Sequence, residues 1–120
     1  MGKNNSMKIN RRVFTIASGQ SVSEIQKLNA TEIVHAIEMP SQWTAAALSF
    51  LAGTVNTSLN SYYRNGNEIA LSVAANMFHE FDQIGYLAAA KYIQLRSGTA
   101  ATPVNQGASR AIVVVTLELD

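Results

Sequence analysis

Alternation with a period of two constrains this chain more than any other feature. In EIVHAIEMP (Glu32–Pro40), Ile33, His35, Ile37 and Met39 fall on one face, and Glu32, Val34, Ala36 and Glu38 fall on the other. Successive strand side chains point to opposite faces, whereas a helix repeats every ~3.6 residues, so this spacing is that of a strand. Pro40 ends it, because proline has no N–H to give to a ladder. The same logic predicts strands over RVFTIA (Arg12–Ala17), ALSFLAG (Ala47–Gly53), Leu59–Tyr63, EIALSV (Glu68–Val73) and KYIQLRS (Lys91–Ser97). SVSEIQKLN and AANMFHEFD are read as shorter strands. RAIVVVTLEL (Arg110–Leu119) closes the series, with Ala111, Val113, Val115, Leu117 and Leu119 as its expected core face. Only QIGYLAAA suggests a helix, and Gly85 limits it to a single turn or 3₁₀ segment. The turn Arg64-Asn65-Gly66-Asn67 is the strongest hairpin signal, because Asn and Gly both tolerate positive φ.

Eight or nine short strands with almost no helix fit a single-domain β-sandwich or jelly roll. A length of 120 residues suits one domain with a self-sufficient core. There is no cysteine, which excludes disulfides and thiolate metal sites and favours production in the cytoplasm. No apolar run is long enough for a membrane span, and the N-terminus lacks the apolar stretch of a secretory signal.

Charge is sparse, at 14% of residues, and unevenly placed. Residues 1–12 carry Lys3, Lys8, Arg11 and Arg12 with no acid, whereas residues 13–120 hold five bases and eight acids. The chain therefore reads as a basic arm, 1–12, followed by a β-sandwich domain, 13–120. The arm is either a frayed end or a segment that orders against an acidic partner surface. Nucleic acid is not the expected partner, because the body adds no basic stripe.

The search for chemistry yields little. No phosphate loop, HExxH or GxSxG motif is present. His35 and His79 lie in separate strands, the first on an apolar face and the second beside Phe78 and Glu80. Acids occur singly or, as Glu80 and Asp82, spaced by two, which is too sparse for a calcium loop. The expectation is a protein without enzyme activity, cofactor or metal. Trp43 with Tyr62 and Tyr63 offers rings that stack on a sugar or, equally, core plugs and an ordinary hairpin. The uncharged connection Ser97–Arg110 is bracketed by Arg96 and Arg110. These arginines either bond the base of the loop or meet a neighbouring subunit.

Three segments carry a family resemblance: MPSQWTAAALSF (39–50), NGNEIALSVAAN (65–76) and KYIQLRSGTAATPVNQGASRAIVVV (91–115). Together they resemble small virion proteins of tailed bacteriophages over residues 12–119, most specifically in the closing Leu-Arg-Ser-Gly-Thr…Pro-Val-Asn-Gln…Arg motif. The resemblance implies a jelly-roll, galactose-binding-like module on the capsid exterior: a decoration or cement protein bridging capsid subunits. Its partners would be the major capsid protein and further copies of itself, with a trimer favoured, and neither nucleic acid nor membrane. Candidate contacts are Lys3, Lys8, Arg11, Arg12, Thr99, Thr102, Asn105 and Gln106, with Arg96 and Arg110 as loop anchors. The alternative is a receptor- or glycan-binding module of a tail or head fibre, through Trp43, Tyr62 and Tyr63. The chain departs from the family pattern at AGTVNTSLN, where related sequences carry a Ser-x-Asp-Gly turn.

Overall fold

A computed structural model of the chain describes residues 6–82 and 85–119. It is all-β: among the described residues there is no helix, and the strands pair antiparallel throughout. The strands are β1 (Met7–Ile16), β2 (Gln26–Lys27), β3 (Glu32–Glu38), β4 (Leu48–Gly53), β5 (Asn60–Ser61), β6 (Tyr63–Arg64), β7 (Asn67–Glu68), β8 (Ala70–Leu71), β9 (Phe78–Glu80), β10 (Tyr92–Ser97) and β11 (Arg110–Leu119). One sheet has the order β1-β11-β3-β9. A second runs β2-β10-β4-β5, with β8 also on β4, and β6-β7 form a separate hairpin.

The two large sheets share one core. Phe14, Ile16, Val34, Ile37, Ile112 and Val114 enter it from the first sheet, and Leu48, Phe50, Ile93 and Leu95 from the second. All ten are fully buried, and burying a large aliphatic or aromatic side chain is worth about 1.5–3 kcal/mol. Phe81 closes one end, edge-on to Phe50 and stacked on Tyr86 at 4.6 Å.

Three expectations need correction. β1 begins at Met7, not Arg12. Lys8, Arg11 and Arg12 are therefore strand residues paired with Glu118, Val115 and Val114, not part of an arm, and Lys3 lies outside the described residues. The ladder reaches back because Met7 and Ile9 extend the apolar alternation that Val13 continues.

On β3 the expected single face is broken by a bulge. Val115 faces Ala36 while Thr116 faces Val34, so His35 has no partner on β11. The extra residue flips the phase of the strand. Glu32 and Val34 point inward before it, and Ile37 and Met39 point inward after it.

On β11 the core face is Ile112, Val114 and Thr116, all fully buried, not the odd-numbered residues. Both faces of this strand are apolar, so alternation alone could not choose between them. Thr116 goes inward because its hydroxyl donates to the buried Glu32 carboxylate.

The Asn65-Gly66 turn forms the β6-β7 hairpin, with φ of 52° and 80° at the two residues, the left-handed pair that a two-residue primed turn requires.

Candidate assembly surface

The register places rows of side chains on the outer face of the β1-β11-β3-β9 sheet. Directly paired residues share a face. Val13, Val113, Glu38 and Phe78 form one row, and Arg11, Val115, Ala36 and Glu80 form the next. Ile9, Leu117 and Ile33 follow, then Met7 and Leu119. The apolar members on the edge strands and at the strand ends are not covered, whereas Ala36 and Val115 at the centre are buried. Met7 is 50% exposed, Ile9 69%, Val13 47%, Phe78 62% and Leu119 47%. Scattered exposed apolar residues are ordinary, whereas several grouped on one sheet face mark an interaction site. The few charges lie at opposite sides of this face. Arg11 stands on the edge strand β1, with its guanidinium 3.8 Å from Glu38, and Glu80 stands on β9, 3.1 Å from His35 Nε2.

The open edge of β1 is partly sealed. The Thr15 N–H donates to Glu24, and Gln26 donates to the Val13 carbonyl. Such side-chain caps blunt a strand edge against pairing, which leaves the face, rather than the edge, as the larger unpartnered surface.

The inner side of the same sheet holds a buried ion pair. Arg12 Nε and Nη2 donate to the two Glu32 oxygens at 2.6 and 2.7 Å, and Arg12 Nη1 donates to Gln26 at 3.2 Å. Glu32 also accepts from the Asn29 N–H at 2.9 Å and from Thr116. Burial pushes this carboxyl up, but the hydrogen bonds from Arg12, Thr116 and Asn29 outweigh it and hold it down at about 2. The Glu32 hydrogen bond in turn raises Arg12 above its ordinary range against the cost of burial. Arg12 is therefore a structural residue, committed within the chain. Lys8 lies 3.8 Å from Glu118 and remains exposed.

The long connection is ordered from within. Gly98 sits at φ +93°, where a Cβ would collide with the Thr102 carbonyl oxygen, so only glycine fits. Arg96 is buried, donating to Ser49 Oγ at 3.0 Å and to Glu68 at 2.6 Å. Glu68 also accepts from the Ala100 N–H. Gln106 is buried and makes four side-chain bonds. Its Oε1 accepts from the Thr44 N–H and Arg110 Nε, and its Nε2 donates to the Thr44 carbonyl and Ser97 Oγ. Arg110 Nη2 reaches Thr44 Oγ1 at 3.2 Å. Gln106 thus holds the loop rather than offering a contact, a correction to its expected role. Thr99 is half-buried, its Oγ1 accepting from the Thr102 N–H. Thr102 and Asn105 are exposed.

The three aromatic residues differ in exposure. The Trp43 indole donates to the Ala46 carbonyl at 3.0 Å and packs against the core. Tyr62 packs there too, its hydroxyl accepting from the Leu87 N–H. Only Tyr63 presents a largely exposed ring. Two shallow clefts flank the 85–90 turn, of about 440 and 380 Å³. Their walls are mainly alanines, with Lys27 and Lys91 the charged residues. Among the described residues no group of three or more His, Asp or Glu gathers where a metal ion could bind.

Comparison with family models, with curated proteins and with solved structures finds no match.

Proposed function

We propose that this chain is a structural protein of a bacteriophage particle, a capsid decoration or cement protein without catalytic activity. The observation that carries the reading is the group of exposed apolar side chains, Met7, Ile9, Val13, Phe78 and Leu119, on the outer face of the β1-β11-β3-β9 sheet. Leaving several large apolar side chains in water has no use in a free monomer, and an assembly gives them a cover. The strand order supports the same reading. With β5 and β8 counted as one fifth strand interrupted by the β6-β7 hairpin, the sheets run first-eighth-third-sixth and second-seventh-fourth-fifth. We read this as the order of a jelly roll, an architecture common in viral shells. Topology is a weak guide to activity by itself, but the sparse charge and the resemblance of residues 91–115 to phage virion proteins point the same way.

In this reading the exposed outer side of the 97–110 loop, with Thr102 and Asn105, lies against the capsid. Its base is pre-ordered by Arg96, Gln106 and Arg110, so docking does not have to meet an ordering cost of about 1–2 kcal/mol per loop residue. The experiment is cryo-EM of the particle, together with immunogold labelling. Density for this chain on the shell supports the proposal. A shell without it, on a particle that carries the protein elsewhere or not at all, overturns it.

A further inference from the structure

The outer sheet face raises the question of what covers it. We propose that its occupant is a second copy of this chain, packed face to face about a two-fold axis that runs along the strands. This inference rests on the assembly role proposed above and names the partner.

Two observations select a second copy. The first is the placement of charge. Basic Arg11 is at the β1 side of the face, and acidic Glu38 and Glu80 are at the β3-β9 side. Rotation about an in-plane axis along the strands reverses left and right but keeps each row at its level. The row Arg11–Val115–Ala36–Glu80 then lies over its own reverse, so Arg11 meets Glu80 of the partner subunit twice. The neighbouring row sets Phe78 over Val13 of the partner subunit, also twice. An axis across the strands would instead stack β9 on β9 and bring the acidic sides together. Arg11 and Glu80 are 62% and 65% exposed, so both are free to reach across. A surface that complements itself under a two-fold rotation is the signature of an isologous dimer.

The second is area. Strands of 10, 10, 7 and 3 residues, at ~4.8 Å spacing and ~3.3 Å rise, make a flat face of roughly 500 Å². The two-fold lays the ten residues of β1 over the three of β9, so about two-thirds of that face overlaps and two copies bury on the order of 600 Å² of sheet plane before side-chain relief is added, the size of a weak, reversible contact. Facing sheets pack ~10 Å apart, close enough for Phe78 and Val13 to interdigitate. The result is a pair, in place of the trimer that the resemblance favours.

The test is sedimentation velocity on the full chain, from micromolar to hundreds of micromolar. The wild type is expected to run as a reversible dimer. Val13→Asp and Phe78→Ser, both at exposed positions, should be monomeric with unchanged circular dichroism. Two variants at separate positions guard against one failing to fold. Arg11→Glu and Glu80→Arg should each weaken the dimer at least about tenfold. An equimolar mixture of those two should recover it, because each then meets an opposite charge on the other chain while its own internal pairing stays broken. A wild type that is monomeric throughout, a dimer indifferent to Val13→Asp and Phe78→Ser, or a mixture that does not recover overturns the proposal. A monomer that still needs Val13 to attach to particles assigns the face to a capsid protein, overturning the pairing while the virion reading stands. A dimer absent from every particle leaves the pairing and removes the virion reading.

Discussion

Replacing Glu32 with glutamine should show how much this fold depends on one buried charge. The carboxylate accepts from Arg12 twice, from Thr116 and from the Asn29 N–H. It titrates at about 2 instead of an ordinary 4.5. At ~1.4 kcal/mol per pH unit that difference corresponds to roughly 3 kcal/mol of folding free energy at neutral pH. The folded-state value is the depressed one, so the stabilisation is complete above about pH 4.5 and is lost as pH falls toward about 2. Glutamine keeps the shape but turns an N–H₂ toward the donors that the second oxygen had accepted from. Arg12 retains some contact with solvent, which places the cost near the lower end of the ~3–5 kcal/mol expected for a broken buried pair. Urea unfolding of both proteins at a series of pH values measures it. At pH 7 the variant should be less stable by about 3 kcal/mol, and the two curves should converge as the pH approaches 2. The exposed carboxylates titrate in both proteins and cancel in the difference. A variant within about 1 kcal/mol of wild type at pH 7, or one with an unchanged acid slope, would refute the reasoning.

Four further outcomes follow from particular contacts. Gln106→Ala removes four hydrogen bonds at the base of the 97–110 loop. It should cost about 2–4 kcal/mol in urea unfolding and open the loop to limited proteolysis. Gly98→Ala sets a Cβ against the Thr102 carbonyl at φ +93°, so soluble yield and thermal melting should both collapse, a loss beyond ~3 kcal/mol. Gly66→Ala strains the hairpin turn, where φ is +80° but space is open, and should lower stability by only about 1 kcal/mol in the same melt. Deleting residues 1–12 removes six residues of β1, Arg12 among them, so circular dichroism should report an unfolded chain, whereas an arm would have been dispensable.

Much of the architecture could be read from local pattern because the strands are amphipathic and their turns carry specific residues. β4 and β10 begin and end within one residue of the alternating stretches, and Asn65-Gly66 marks its hairpin. What could not be read depends on register. The Arg12–Glu32 pair is separated by 20 residues and forms only once both strands lie beside β11. Gln106 looks like any loop glutamine until Thr44, 62 residues away, is brought against it. The His35 bulge has no local mark, and without it the facing of β3 comes out wrong for half its length. The apolar outer face was visible as a surplus: β11 has more apolar residues than one core can take. Assigning the odd-numbered set to the core reversed inside and outside. The signal that could have corrected this is Met7 and Ile9, which extend the same surplus onto β1, where there is no second sheet to bury it.

β11 comes last among the strands yet stands in the interior of its sheet, and β1 and β3 are joined only through it. During synthesis, Phe14, Ile16, Val34 and Ile37 must wait for Ile112 and Val114 before their sheet can exist. Pairing Met7 with Leu119 closes a loop of about a hundred residues, and such non-local topologies fold in milliseconds to seconds rather than microseconds. A chain stopped before β11 has no smaller fold to retreat to, so a truncated product stays open to proteases. The ribosome thus delivers the keystone strand only after the other strands of the sheet have been made.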